Sequence, residues 1–236
     1  MKNLSDVRAA LKKKGSEQTR KLAARHGAPS DTYGVKVADL KTIAKQIKGN
    51  QALACELFDS CHPDAQYLAG MVADGSQMTT RQLQSWAKKA SWGMISEYSV
   101  PGVTTENSAA RSLALKWIDS KQEAIASSGW CTYAGLVAML PDEELNTTEI
   151  KSLLDRIAKN IDAAPDRVRY TMNGFVIAVG SYVKPLLKQA QATARAIGTV
   201  SVDVGETACK VPLAVEYIKK VETAGRVGKK RKTIKC

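Results

Sequence analysis

The sequence predicts an all-α chain of stacked helix pairs, and three observations carry that expectation. Apolar residues recur at three- and four-residue intervals along nearly the whole length. The segments between these runs are short, about 2–8 residues, and contain Gly, Ser, Pro or Asp. Only residues 198–210 (GTVSVDVGETACK) alternate in the two-residue period of a strand, too short a piece to build a sheet alone. About ten to twelve helices are expected, paired with a period of about 35–45 residues, the period of HEAT-like repeats. The expected architecture is one HEAT-like helical-repeat α-solenoid with a concave face over residues 1–224, followed by a basic C-terminal tail, 225–236.

The elements follow in order. A basic helix pair occupies the first 27 residues. Residues 36–48 place Val37, Leu40, Ile43, Ala44 and Ile47 on one stripe with lysines opposite. Pro63 opens PDAQYLAGMVAD, as a first-turn proline does, and Thr79 or Thr80 caps RQLQSWAKKA. Thr104 and Thr105 precede NSAARSLALKWIDS as capping candidates, and Asn146 precedes TTEIKSLLDRIAKNI. Between these runs lies a helix carrying Trp130 and Tyr133. Pro165 and Asp166 begin DRVRYTMNGFVIAVGSYV, which ends near Pro185. A helix over 185–197 and another from Pro212 to Thr223 complete the chain.

Charge is concentrated at the two ends. The 236 residues carry 35 basic and 23 acidic side chains, a net charge of +12. Residues 1–27 hold eight basic and two acidic side chains, and residues 225–236 hold six basic and none acidic, whereas the centre is balanced at 21 of each. Two basic ends around a neutral centre point to a polyanionic partner, of which duplex nucleic acid is the commonest. The hydrophobic fraction, 44%, and the length are enough for a core that needs neither disulfide nor metal.

The motif search excludes most enzyme classes. Neither GxxxxGK[ST], GxGxxG nor GxSxG occurs. Two histidines, His26 and His62, are too few for a His-based metal site, and Cys55, Cys61, Cys131, Cys209 and Cys236 show no paired spacing. Reduced cysteines, no signal-peptide core and no apolar run longer than Phe175–Val179 lead to the expectation of a cytoplasmic protein with no membrane contact.

What remains is a set of aromatics near one carboxylate. SWGMISEYS holds Trp92 and Glu97 a little over one turn apart, Trp130 and Tyr133 share a helix face, and Phe175 lies in MNGFVIAVG. Lys88 and Lys89 directly precede the first segment. Arg167, Arg169, Lys184 and Lys188, with Lys229, Lys230, Arg231 and Lys232 of the tail, are candidate phosphate contacts. Asp203 to Pro212, with Thr207, Cys209 and Lys210, is expected to be structural.

The order of YGVKVADLKTIAK, SWGMISEYSV, ARSLALKWIDS, SGWCTYAGLVAML and VRYTMNGFVIAVGSYV resembles the DNA alkylation repair proteins of the AlkD type, over about residues 1–224. That resemblance implies a HEAT-like solenoid holding duplex DNA, and removal of cationic N3- and N7-alkylpurines without metal or cofactor. The leaving base is already cationic, so a carboxylate and aromatic faces suffice to stabilise charge developing on the deoxyribose. The family uses a tryptophan, an aspartate four residues later, an arginine and a second tryptophan. On this chain those positions fall on Gly93, Glu97, Tyr133 and Phe175. The resemblance thus implies Glu97 as catalytic group, with Trp92, Trp130, Tyr133 and Phe175 lining the cleft, in a monomer acting on alkylated or distorted duplex DNA. Two other readings stand beside it: a catalytically inactive binder of duplex or structured nucleic acid, and a helical-repeat scaffold for protein partners.

Overall fold

The computed structural model describes residues 1–235; Cys236, the last residue of the basic tail, lies outside the described residues. Among those described there are thirteen α-helices, one more than the expected range, and no strand beyond an isolated backbone bridge between Gly15 and Val35. No helix among them is long and apolar enough to cross a membrane. Residues 198–210, which alternate like a strand, form no strand. Gly198 and Gly205 turn the chain there at positive φ, and the amide of Asp203 donates to Asp166 Oδ2 at 2.8 Å.

The helices divide into two compact units. The first spans Met1–Ala109 with Gly205–Ala208 and Lys235, and the second spans Ala110–Val204 with Cys209–Ile234. The first contains α1 (Leu4–Lys14), α2 (Glu17–Arg25), α3 (Val37–Gln46), α4 (Gln51–Asp59), α5 (Pro63–Val72), α6 (Thr80–Lys89) and α7 (Val100–Thr104). The second contains α8 (Ala110–Ile118), α9 (Glu123–Met139), α10 (Thr147–Asn160), α11 (Asp166–Tyr182), α12 (Leu187–Ile197) and α13 (Ala214–Thr223).

Side-chain caps start many of these helices where the sequence places them. Thr79 and Gln82 form a reciprocal capping box on α6, and Asn146 Oδ1 accepts from the Glu149 amide at 3.0 Å on α10. Thr104 and Thr105 behave differently from expectation. Their hydroxyls donate backward to the carbonyls of Val100 and Pro101, at 2.8 and 2.7 Å, and so close α7 instead of opening α8.

In the first unit α5 is the central helix, with every residue from Pro63 to Gly70 buried. Asp64 and Gln66 inside that run are held by backbone groups. Asp64 accepts from the amides of Tyr33 and Val35 at 2.8 and 2.9 Å. Gln66 donates to the carbonyls of Phe58 and Lys89 and accepts from the Ser91 amide. In the second unit α9 packs against both α8 and α11. Gly129 makes the α8 approach possible, since a Cβ there would lie 2.6 Å from the Ile118 nitrogen and 2.8 Å from the Ala114 carbonyl oxygen.

The basic tail is docked through its backbone and two of its lysines. In the second unit the amide of Gly228 donates to Ser181 O and that of Arg231 to Ala138 O. Lys230 Nζ reaches Val137 O at 2.9 Å and Asp142 at 2.8 Å, so it caps the C-terminal carbonyls of α9, where a cation is favoured. In the first unit Lys235 donates to Ala73 O, just past α5, and pairs with Glu106 at 2.6 Å.

Candidate functional site

The Trp92–Glu97 segment belongs to the first unit, and its local geometry follows from Pro101. A proline has no N–H to offer the carbonyl four residues back, here that of Glu97, so an α-helix cannot run through unchanged. The chain widens ahead of it into a π turn, Ile95–Ser99, in which the Val100 amide reaches back five residues to Ile95 O. Trp92 stands at the front of this turn, its carbonyl accepting from the amides of Ile95 and Ser96. Gln66 holds the strand of backbone leading to it. Gly70 seats α5 against the widened turn, where a Cβ would come within 2.6 Å of Ser99 Cβ. Glu97 lies within the π turn and is only 5% exposed.

Trp92 also lines a pocket of about 130 Å³ in the same unit. Its walls come from α2 (Thr19, Ala23), α3 (Val37, Leu40), α5 (Pro63, Asp64, Tyr67) and the Trp92–Met94 segment. The polar groups along it are committed elsewhere. Asp64 accepts its two amides, Thr19 Oγ1 accepts from Ser16, and Thr32 Oγ1 donates to Pro29 O. The Trp92 indole N–H is buried with no hydrogen-bond partner.

Trp130, Tyr133 and Phe175 sit together in the second unit, but as core and not as the lining of a cleft. Trp130 and Phe175 are 0% exposed and Tyr133 is 2% exposed. The Phe175 ring meets Trp130 edge-on at 5.4 Å between centroids and Tyr133 at 5.7 Å. The guanidinium of Arg156, paired to Asp119 at 2.6 Å, lies 5.9 Å from the Trp130 ring centre. Tyr133 donates its hydroxyl to Glu149, which Arg111 grips with two hydrogen bonds of 2.8 and 2.6 Å. Burial, then the hydrogen bond to Glu149 and its charge, pushes the Tyr133 phenol far above its ordinary range. Burial alone would raise Glu149, but the hydrogen bonds from Arg111 and Tyr133 outweigh it and hold the carboxyl low. All three candidates for the cleft lining are enclosed, as large aromatics at such helix positions commonly are, because that is where most apolar area leaves water.

The expected phosphate contacts separate into two groups. Lys88, Lys184, Lys188, Lys229, Arg231 and Lys232 are exposed. The others have protein partners. Lys89 pairs with Asp59 at 2.8 Å, Arg169 with Asp166, and Lys230 with Asp142. Arg167 lies 4.4 Å over the Tyr170 ring, and its amide donates to Glu123. The Asp203 amide, then Arg169, holds Asp166 below the usual carboxylate range. Lys230 is thus a helix cap, which counting charges along the tail does not show.

Gln66, which positions the Trp92 segment, escapes a reading based on charge and aromatics. Its signal was available as an amide side chain in the run AQYLAGMV, because a buried amide needs partners. Among the described residues no three His, Cys, Asp or Glu side chains gather into a metal-binding group.

Comparison with known proteins adds three findings. Residues 7–200 match the model of a family described as DNA alkylation repair enzyme. The uncharacterized proteins Lin0241 of Listeria innocua serovar 6a and Lmo0209 of Listeria monocytogenes serovar 1/2a are each 34% identical over 208 residues, covering 86% of this chain and 89% of theirs. A solved structure, described as a new family of proteins related to the HEAT-like repeat DNA glycosylases with affinity for branched DNA structures, aligns at a TM-score of 0.91 and 33% identity. It covers 99% of this chain and 100% of that one. The all-α arrangement is the HEAT-like repeat fold.

Proposed function

The chain belongs to the DNA alkylation repair enzyme family, and from that premise we propose that it binds DNA at branched or distorted sites without excising bases. The observation that carries this reading is the state of the positions the family uses for chemistry. Gly93 offers no ring, Phe175 is enclosed, and Tyr133 replaces a cation while its hydroxyl is committed to Glu149. A glycosylase needs donors and charges aimed at the developing cation, and enclosed side chains do not supply them. The affinity of the structural relative for branched DNA supports the choice of ligand.

A direct test compares binding of a four-way junction and a linear duplex of equal length, alongside base release from N7-methylated duplex. The junction is expected to bind more tightly, with no N7-methylguanine released. Equal affinity for the two shapes would refute the preference.

One observation favours the second reading, excision of cationic alkylpurines. Glu97 lies within the π turn Ile95–Ser99 and Trp92 stands three residues ahead of it, so one short segment carries both the carboxylate and an aromatic ring. In that reaction the cationic base leaves with the bonding pair as a neutral molecule, Glu97 stabilises the sugar cation, and water adds to the anomeric carbon and releases one proton to solvent. Release by wild type that falls about 10²-fold or more in Glu97→Gln would establish this reading in place of the first.

A further inference from the structure

We infer that the pocket between α2, α3, α5 and Trp92 is a docking site for a partner protein, and that the segment it takes is acidic and carries one apolar side chain, which enters the pocket. The inference goes beyond the DNA-binding reading and does not rest on it. Shape defines the anchor. The pocket encloses about 130 Å³, with Ala23, Val37, Leu40, Tyr67, Trp92 and Met94 among its walls. An apolar cavity of roughly 150 Å³ holds one benzene ring, so this space suits one aromatic or branched aliphatic side chain. Met94 gives one wall a flexible, polarizable thioether that adapts to either.

Polarity excludes other anchors. Asp64, Thr19 and Thr32 have partners inside the protein, and the Trp92 indole N–H is enclosed. A phosphate, a sugar, a base edge or a carboxylate entering there would lose its water without compensation, and the Asp64 charge opposes an anion further. An apolar side chain meets no such penalty. The apolar surface also continues outside the pocket. Val37 in its wall is 42% exposed, and Leu22, next to Ala23 on α2, is 54% exposed. An apolar hollow framed by charged side chains is the build of a protein-interaction site.

Charge selects the flanks of the segment. Residues 17–48, which span α2 and α3, hold seven basic and three acidic side chains. Two of those acids are neutralised within the unit, Glu17 by Arg20 and Lys21 and Asp39 by Lys14. Arg25, Lys36 and Lys41 are exposed and in no ion pair among the described residues. They stand outside the pocket, beside its walls. Lys36 lies between Val35 and Val37, Lys41 is one helical turn on from Val37, and Arg25 follows Ala23 by two residues. A segment whose anchor fills the pocket runs out over these cations, so acidic flanks are attracted there and basic flanks repelled. The same charges exclude this chain's own material. The tail, 225–236, has six basic side chains and no acidic one. Among the described residues the exposed large apolar side chains are Leu22, Val37, Tyr98 and Tyr217, and none stands in an acidic run that a second copy could offer.

The test measures binding of short labelled peptides to the full chain by fluorescence anisotropy. One has a central Phe between acidic residues, one has Ser in place of that Phe, and one has the Phe between glutamines. The acidic Phe peptide is expected to bind at least about tenfold more tightly than the Ser peptide, the scale of one apolar side chain leaving water. It is expected to bind more tightly than the glutamine peptide as well, by a margin that shrinks as salt is raised. Ala23→Phe, on a helix with no buried residue, fills the pocket, and Val37→Asp puts a charge in its exposed wall. Either is expected to bring the Phe-to-Ser ratio close to one. Lys36→Gln with Lys41→Gln is expected to weaken both acidic peptides alike and to leave that ratio in place. Equal affinity of wild type for the two acidic peptides would make the cations a general polyanion surface, as for DNA, and overturn the inference. So would a ratio unchanged in both pocket variants, a glutamine peptide bound as tightly as the acidic one, or no binding of any peptide. The DNA-binding reading stands or falls separately, on the comparison of junction and duplex.

Discussion

The resemblance puts Tyr133 at the position of the family's arginine, and its surroundings show what a phenol does there. The phenol joins Glu149 and Arg111 in a half-buried network whose apolar side is Phe175 and Trp130. Tyr133→Phe removes one hydrogen bond but leaves Glu149 held by Arg111. The expected loss is about 1 kcal/mol in urea denaturation. The pH dependence has two limbs. The raised Tyr133 phenol contributes stability that is full below the ordinary phenol pKa and is lost as pH rises above about 10, where the unfolded chain ionises first. The lowered Glu149 carboxyl contributes stability that is full above its unfolded pKa and is lost as pH falls through the acid range. Urea midpoints of wild type should therefore fall on the alkaline side more steeply than those of Tyr133→Phe; parallel curves would mean that Tyr133 ionises freely. Sequence alone identified Glu97 as an acidic side chain beside an aromatic. The amide of Gln66 that seats this segment became visible only with the packing around α5, because its three partners come from Phe58, Lys89 and Ser91.

At the scale of elements, the helices were readable from periodicity and capping chemistry, while the exceptions trace to particular residues. Pro101 was in plain sight in SEYSVPG, yet whether a proline kinks, ends or widens a helix depends on what the displaced backbone packs against. Here Gly70 of α5 gives the π turn its seat. The contact between α8 and α9 depends in the same way on Gly129. Alanine is the better helix former by about 1 kcal/mol, but its Cβ would strike the α8 backbone at the Ile118 nitrogen and the Ala114 carbonyl. Backbone atoms cannot rotate away as a side chain can, so the clash wins. Gly129→Ala is expected to destabilise the protein by about 2 kcal/mol, measured as a lowered urea midpoint. An unchanged or raised midpoint would show that α8 shifts without cost.

For the whole molecule the governing quantity is the charge of +12, carried mainly at the two ends of the chain. Of the six cations in residues 225–236, Lys230 and Lys235 are spent on helix carbonyls and acidic partners, whereas Arg226, Lys229, Arg231 and Lys232 are exposed. Removing the tail would therefore mix a loss of charge with a loss of two caps. The triple substitution of Lys229, Arg231 and Lys232 by Gln separates them. It is expected to leave the urea midpoint within about 0.5 kcal/mol of wild type and to flatten the log–log salt dependence of DNA binding by about one to three. A slope equal to that of wild type would take those three residues out of the interface.

The sequence by itself determined the all-α class, most helix starts, the basic ends and the absence of phosphate-loop and His-based motifs, because these follow from local spacing and composition. It also carried the family, since the matching segments run through most of the chain. Tertiary structure alone decided which aromatics remain available. Trp130, Tyr133 and Phe175 have the same residue types whether they line a cleft or fill a core, and only the packing of α9 on α11 encloses them. It likewise turned Lys230 from a candidate phosphate contact into the cap of α9, because the partners of a long flexible cation are set by carbonyls distant in sequence. Periodicity is a property of neighbours along the chain; enclosure and pairing are properties of neighbours in space.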